Sequence, residues 1–143
     1  MDNVYEYLAD NGIMTETDYK YRARGGTCAY DPTKAVPGIK TSGRGYRTVA
    51  KNEEAYMNAL EIAPIAIAVD ADDLYSYRKG VIRECPTTNQ INHGVILVGY
   101  GEEVNSNDDK LDKYWIVRNS WGSYWGEGGY FKIVRDKGNT TYG

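Results

Sequence analysis

The stretch from Ile91 to Tyr130 decides the fold, because it holds two long apolar motifs separated by a charged loop. It also contains the only histidine and all three tryptophans of the chain. The motifs read Asn92-His93-Gly94-Val95-Ile96-Leu97-Val98-Gly99-Tyr100-Gly101 and Tyr114-Trp115-Ile116-Val117-Arg118-Asn119-Ser120-Trp121-Gly122-Ser123-Tyr124-Trp125-Gly126-Glu127-Gly128-Gly129-Tyr130. Their apolar runs predict two strands, and the charged stretch 101–113 predicts the hairpin loop between them.

Outward from this hairpin, the sequence predicts an α+β plan in which helices and strands do not alternate. Asn52 is suited to cap a helix that ends at Pro64, and a short helix is predicted over residues 2–11. Residues 13–45 are rich in glycine and proline and predict irregular chain. Three further strands are predicted over residues 65–69, 80–83 and 130–135.

Composition excludes several classes of function. The 143 residues carry 17 basic and 20 acidic side chains, with 41% hydrophobic residues, as in a soluble globular protein. No basic cluster indicates nucleic-acid binding, and no apolar run reaches membrane-span length. The acidic and aromatic N-terminus is not a signal peptide. We expect no cofactor and no metal ion, since the acidic run from Glu102 matches no calcium loop.

A lone histidine at a strand start is weak evidence of catalysis, but the context of His93 changes this. Asn119 ends the partner strand, so the two side chains are expected at the same end of the sheet. There the amide oxygen could accept the Nδ1–H of the imidazole and fix its tautomer. Trp121 could cover that hydrogen bond and exclude water. A base held by an orienting group requires a nucleophile.

These motifs resemble the histidine and asparagine motifs of papain-like cysteine proteases, most closely those of the cathepsin L-like group. The segment Tyr19-Lys20-Tyr21 is similar to a Tyr-Pro-Tyr segment of that family, with Lys20 in place of proline. The resemblance implies a left, mainly helical domain and a right domain, which is mostly an antiparallel β-sheet or barrel with a short helix. Residues 1–45 would be the C-terminal part of the left domain, and residues 46–143 would be the right domain.

The resemblance also implies a mechanism, in which acyl transfer proceeds through a cysteine thiolate. His93 would be the general acid and base, Asn119 its orienter and Trp121 the cover. A peptide substrate would contact four further residues: Asn92 and Gly94 beside the scissile bond, Ala68 at the pocket for the second residue before the cut, and Trp125 on the leaving-group side.

The nucleophile is expected to lie upstream of Met1. In the family it belongs to a Cys-Gly-Ser/Ala-Cys-Trp/Tyr signature roughly 130–150 residues before the histidine. The helix that carries it and the oxyanion-hole glutamine would also be absent, so the isolated chain is expected to be inactive. On the residues alone, Cys28 and Cys85 could pair with each other, stay free or pair elsewhere. The resemblance implies that each pairs with a cysteine outside the chain.

Two alternatives to a peptidase half-site stay open. The chain could be a non-catalytic remnant that binds a peptide or partner, or a half-enzyme completed by a second chain that carries the nucleophile. An uncovered cleft wall also predicts self-association. By resemblance the protein would be lysosomal or secreted, and Asn139, in the sequon Asn139-Thr140-Thr141, would then be a possible glycosylation site.

Overall fold

The computed structural model of the chain describes residues 2–36, 46–84, 90–104 and 110–135. The chain divides into two compact units, Met1–Thr48 and Val49–Gly143, which we call the N-terminal and C-terminal units. This division lies beside the boundary predicted at residues 45 and 46. Whether the units correspond to the left and right domains of the family stays a prediction.

The N-terminal unit contains one helix followed by irregular chain. Helix α1 spans Asp2–Asn11, as predicted. Gly12 ends it with φ 76°, a left-handed conformation that glycine adopts without strain, and its N–H donates to the Leu8 carbonyl at 2.9 Å. An isolated antiparallel bridge joins Ile13 to Val36. The remaining described residues of this unit form turns, bends and irregular chain.

The C-terminal unit is built on one five-stranded sheet. Its strands run in the order β1-β3-β4-β5-β2, and only the β2–β5 pair is parallel. This architecture confirms the predicted α+β class. Its elements are α2 (Glu53–Leu60), β1 (Ile65–Val69), a 3-10 turn (Leu74–Ser76), β2 (Val81–Ile82), β3 (His93–Val104), β4 (Leu111–Arg118) and β5 (Tyr130–Val134).

Local capping explains α2. The Asn52 side chain accepts a hydrogen bond from the Ala55 N–H at 2.8 Å, as the predicted N-cap requires. The helix ends at Leu60, earlier than the predicted stop at Pro64, and a turn follows it. A proline disfavours helical geometry at the residue before it, here Ala63, so the helix cannot continue as far as Pro64.

The predicted hairpin loop over 101–113 is too long. Strand β3 continues to Val104 and β4 begins at Leu111, and residues 105–109 lie outside the described residues. Gly101 does not interrupt the strand, because its cross-strand partner Tyr114 lies over it: a Cβ on Gly101 would be 2.7 Å from the Tyr114 hydroxyl oxygen. Glu102 opposes Lys113, and opposite charges in that register favour pairing.

The core lies on one face of the sheet, against the 3-10 turn and α2. Phe131 of β5 and Val117 of β4 are its most deeply buried side chains, each 1% exposed. Alternate residues of β3 and β4 point inward, at Val95 and Leu97 and at Trp115 and Val117, which follows from the two-residue repeat of a strand. The buried cluster comprises Val69, Ala71, Leu74, Tyr77, Val95, Leu97, Trp115, Val117 and Phe131.

A buried arginine attaches α2 to the sheet. The guanidinium of Arg135 forms ion pairs with Glu53 in the first turn of α2 and with Glu102 of β3, and the residue is 6% exposed. It also lies 5.5 Å from the ring centres of Tyr100 and Trp115. A buried cation requires such partners, since leaving it unpaired would cost several kcal/mol.

A second network holds the loop between β4 and β5. The Glu127 carboxylate accepts hydrogen bonds from the Tyr77 hydroxyl at 2.8 Å and from the Gly80 N–H at 2.9 Å. Burial, and then the bond to Glu127, raise the pKa of the Tyr77 hydroxyl. Burial opposes ionisation of Glu127, but Tyr77, Gly80 and Lys132 outweigh it and hold the carboxyl pKa below its ordinary value. The loop is therefore joined to the chain that follows the 3-10 turn.

Truncating Phe131 should strongly destabilise the chain. Phe131→Ala leaves a cavity under the sheet and is expected to lower the free energy of unfolding by about 3–5 kcal/mol. Urea unfolding followed by circular dichroism measures the change. Tyr124→Ala is the matched control, since Tyr124 is 105% exposed and its loss should change stability by less than about 0.5 kcal/mol. Equal effects of the two changes would contradict the assigned core.

Replacing Glu127 by Gln should make the free energy of unfolding depend less steeply on pH under acidic conditions. Its folded pKa is depressed, so the carboxylate stabilises the fold above its ordinary value of 4.5, and that contribution is lost as pH falls through the folded pKa. The free energy of unfolding should therefore decline less steeply from pH 5 to pH 3 in Glu127→Gln than in the wild type, measured by urea titration at about six pH values. Asp73→Asn, at an exposed residue whose side chain makes no capping hydrogen bond, should keep the wild-type slope.

Candidate active site

The strand register brings His93 and Asn119 together. Leu97 pairs with Val117 across β3 and β4. Continuing this antiparallel register by two residues sets Asn119 opposite Val95, with His93 as its diagonal neighbour on the same face. The Asn119 N–H donates to the Gly129 carbonyl at 2.9 Å, which extends the β4–β5 ladder to this residue. The His93 Nε2 and Asn119 Oδ1 atoms are 2.8 Å apart.

The ring nitrogen involved differs from the predicted one. Nε2, and not Nδ1, faces Asn119. The sequence could not distinguish the two, because both ring orientations are compatible with the same backbone register.

A backbone donor determines the tautomer. The Ser120 N–H donates to Asn119 Oδ1 at 2.8 Å, and a peptide N–H can act only as a donor. The atom that faces His93 is therefore the amide oxygen, so His93 Nε2 must carry the proton. In the neutral ring, Nδ1 is then the unprotonated nitrogen. Asn119 Nδ2 is buried without a partner among the described residues, so the oxygen makes the bonds that fix this amide.

Trp121 lies beside this pair in an aromatic cluster. Its ring centre is 5.2 Å from that of His93, with a tilt of 30°. Trp125 meets Trp121 edge to face at 5.0 Å and donates its indole N–H to the Leu74 carbonyl at 3.2 Å. Tyr75 stacks on Trp121 at 4.8 Å with an angle of 11°. The cluster leaves the imidazole half-buried, with an aromatic wall on one side.

Asn92 uses its side chain to join two segments. Its Oδ1 accepts from the Ala71 N–H at 2.9 Å and its Nδ2 donates to Asp72 Oδ1 at 2.8 Å. Its own N–H donates to the Val69 carbonyl at 3.2 Å. The residue before His93 therefore connects the start of β3 to the chain that follows β1.

The predicted substrate contacts Ala68 and Gly94 are cross-strand partners. His93 pairs with Val69 in the same ladder, so alternation sets Ala68 and Gly94 on the opposite face of the sheet from the imidazole. The structure thus brings His93, Asn119, Trp121 and Trp125 together and separates this pair from them. No substrate contact is tested by this arrangement, and all four such roles stay predictions.

The remaining predicted sites are outside this cluster. Cys28 is exposed, forms no disulfide with any residue that the structure describes, and belongs to the N-terminal unit. Cys85 and Asn139 lie outside the described residues. Over the four described ranges, no three His, Cys, Asp or Glu side chains could hold a metal ion. Neither described helix has the length and apolar character that a bilayer-crossing segment requires.

Sequence reasoning missed Tyr75 and the Tyr77–Glu127 contact. Both tyrosines belong to the polar, tyrosine-rich segment 70–77, which has no apolar period. Their partners, Trp121 and Glu127, follow about 50 residues later. The one available signal was the density of tyrosine, which indicates rings near polar partners without identifying them.

Comparison with known proteins finds relatives that match most of the chain. Mouse procathepsin L is 39% identical over 145 residues, which cover 97% of this chain and 41% of that protein. A viral cathepsin of Epiphyas postvittana nucleopolyhedrovirus is 45% identical over 130 residues, covering 90% of this chain and 37% of the relative. The chain thus spans about two fifths of the length of these curated relatives.

Solved structures show the same fold. A digestive procathepsin L 3 from the larval midgut of Tenebrio molitor matches the whole chain with a TM-score of 0.81 and 38% identity, over 45% of its own length. The bromelain protease of Ananas comosus, in complex with E64, matches 92% of the chain with a TM-score of 0.74 and 37% identity, over 58% of its length. Residues 1–142 match the papain family of cysteine proteases, and the chain belongs to that family.

Proposed function

We propose that this chain forms the part of a cysteine endopeptidase active site that carries the general acid and base, His93, and its orienting partner, Asn119. The 2.8 Å contact between His93 Nε2 and Asn119 Oδ1 carries the proposal. It leaves Nδ1 of the neutral imidazole unprotonated, and a general base needs such a lone pair. Membership of the papain family supplies the reaction class, peptide-bond hydrolysis through a cysteine thiolate.

The proposed mechanism moves two protons in turn through Nδ1 of His93. The imidazole first takes the proton of a cysteine thiol, and the resulting thiolate attacks the peptide carbonyl. Nδ1–H then protonates the leaving amine, and the same nitrogen accepts a proton from the water that hydrolyses the acyl-enzyme. Throughout, the Nε2–H group donates its hydrogen bond to the Asn119 oxygen. This bond keeps the orientation of the ring and stabilises the positive charge of the imidazolium. Trp121 limits the access of water to that hydrogen bond.

The nucleophile is not assigned to either cysteine of this chain. Cys28 stands in Gly-Thr-Cys-Ala-Tyr and Cys85 in Arg-Glu-Cys-Pro, and neither context has the nucleophile signature. We therefore propose that the isolated 143-residue chain does not hydrolyse peptides. From family membership alone we also propose a peptide or protein substrate and a lysosomal or extracellular location.

Activity measurements on the natural polypeptide test the role of His93. Because general acid–base catalysis contributes about 10²–10⁴-fold, His93→Ala should lower kcat/KM for a dipeptidyl fluorogenic substrate by about that factor. Asn58→Ala, an exposed change in α2, should leave kcat/KM unchanged. The isolated 143-residue chain should show no turnover and no labelling by an epoxide thiol inhibitor.

Two results would contradict the proposal. Turnover by the isolated chain that disappears in His93→Ala would disprove its predicted inactivity. A natural polypeptide of 16.1 kDa, the mass of this chain, that binds peptides without hydrolysing them would support the binding-remnant alternative. Epoxide labelling of a second, co-purifying chain would instead support a complemented half-enzyme.

The tautomer of His93 can be observed directly, because the chain has a single histidine. In the neutral ring, ¹⁵N–¹H correlation spectra should show protonation at Nε2 only. Asn119→Ala removes the acceptor, so the Nε2–H should exchange faster with water and the Nδ1–H form should become populated. Asn58→Ala again serves as the control. A wild-type ring protonated at Nδ1 would contradict the assignment made from the Ser120 N–H.

A further inference from the structure

The segment 70–77, between β1 and β2, contains an exposed residue that the proposed mechanism does not use. Tyr75 is 71% exposed, yet its ring stacks on Trp121 with centres 4.8 Å apart and planes 11° from parallel. Such close, parallel stacking is one of the preferred geometries of aromatic pairs. Because most of Tyr75 faces solvent, it contributes little to the core. Its contact with Trp121 therefore requires a separate explanation.

The surrounding chain fixes the position of Tyr75. Leu74 and Tyr77 are both buried, and residues three apart in a 3-10 turn share a face, so the intervening Tyr75 is directed away from the core. The Leu74 carbonyl accepts the indole N–H of Trp125, and the Ala71 N–H donates to Asn92. The turn is thus attached to the loop that carries Trp121 and Trp125 and to the residue before His93.

Trp121 is held by two rings in different directions. Trp125 meets it edge to face, at 82° and 5.0 Å, from the side of the core. Tyr75 covers it face to face from the solvent side, where no core packing would restrain the indole. The imidazole of His93 is the third ring against Trp121, at 5.2 Å. Releasing the solvent-side contact would allow the indole to move away from the imidazole.

We propose that Tyr75 is a positioning residue that holds Trp121 in place and so keeps water from the His93–Asn119 hydrogen bond. The residue touches neither reacting atoms nor substrate in this role, and it acts only through Trp121. The catalytic value of the hydrogen bond rests on the proposed function. The shielding itself is a property of the imidazole N–H, so it can be measured whether or not the chain is part of a peptidase.

Exchange of the His93 Nε2–H with water is the direct test. We expect a protected Nε2–H resonance in the ¹⁵N-labelled wild-type chain, which is unambiguous because there is one histidine. An aromatic pair changes a local equilibrium by about two- to tenfold, so Tyr75→Ala should accelerate this exchange by about two- to tenfold. Tyr75→Phe keeps the ring and should restore the wild-type rate. Tyr124→Ala, at a fully exposed tyrosine of the same unit, is the matched control.

A further variant separates shielding from folding. Tyr75→Leu keeps apolar bulk without a flat ring and should also accelerate exchange, with backbone amide protection unchanged elsewhere. The proposal would be overturned by wild-type exchange rates in both Tyr75→Ala and Tyr75→Leu. It would also be overturned by a wild-type Nε2–H that exchanges too fast to observe, or by failure of Tyr75→Phe to restore protection. Loss of peptidase activity in the natural polypeptide with unchanged exchange would assign Tyr75 a different role.

Discussion

The candidate site depends on the two hydrogen bonds that one oxygen atom accepts. Asn119 Oδ1 accepts from the Ser120 N–H and from His93 Nε2. The peptide donor cannot reverse its role, so it fixes the orientation of the amide, and the amide in turn fixes the proton on the imidazole. Asn119 is 7% exposed, and low local polarity strengthens both bonds. The protonation of one side chain is thereby set by backbone geometry at the end of β4.

The sequence predicted that His93 and Asn119 meet, but it did not predict which ring nitrogen of the histidine faces the amide. His93 and Asn119 stand at the ends of two apolar runs, and strand pairing alone predicts that such ends meet. The ring nitrogen depends on side-chain torsions that leave no pattern in the sequence. The register shift between Leu97 and Gly99 was equally hidden, because a bulge changes the pairing without changing the apolar run. The excessive loop length arose because charged residues were interpreted as loop, although Glu102 and Lys113 oppose each other in the ladder.

Two tyrosines of the segment 70–77 show why composition could not reveal these contacts. Tyr77 is buried, and its single hydroxyl proton lies within hydrogen-bond distance of two acceptors, the Gly80 carbonyl and the Glu127 carboxylate. Tyr75 is exposed and stacks the face of its ring on Trp121. A sequence pattern reports the spacing of residues within a segment. These contacts are instead decided by a loop about 50 residues away, so only the folded chain distinguishes the two roles.

The segment 125–130 holds Asn119 in place, and none of its side chains needs to react for that. Trp125 packs against the core and bonds Leu74. Gly126 has φ 56°, and a Cβ there would be 2.6 Å from a backbone oxygen, so only glycine fits. Glu127 anchors the loop to Tyr77. The loop must reverse the direction of the chain so that β5 can pair with the end of β4. The Asn119 N–H takes part in that pairing by donating to the Gly129 carbonyl. The conformation of this loop therefore determines where the Asn119 amide is placed.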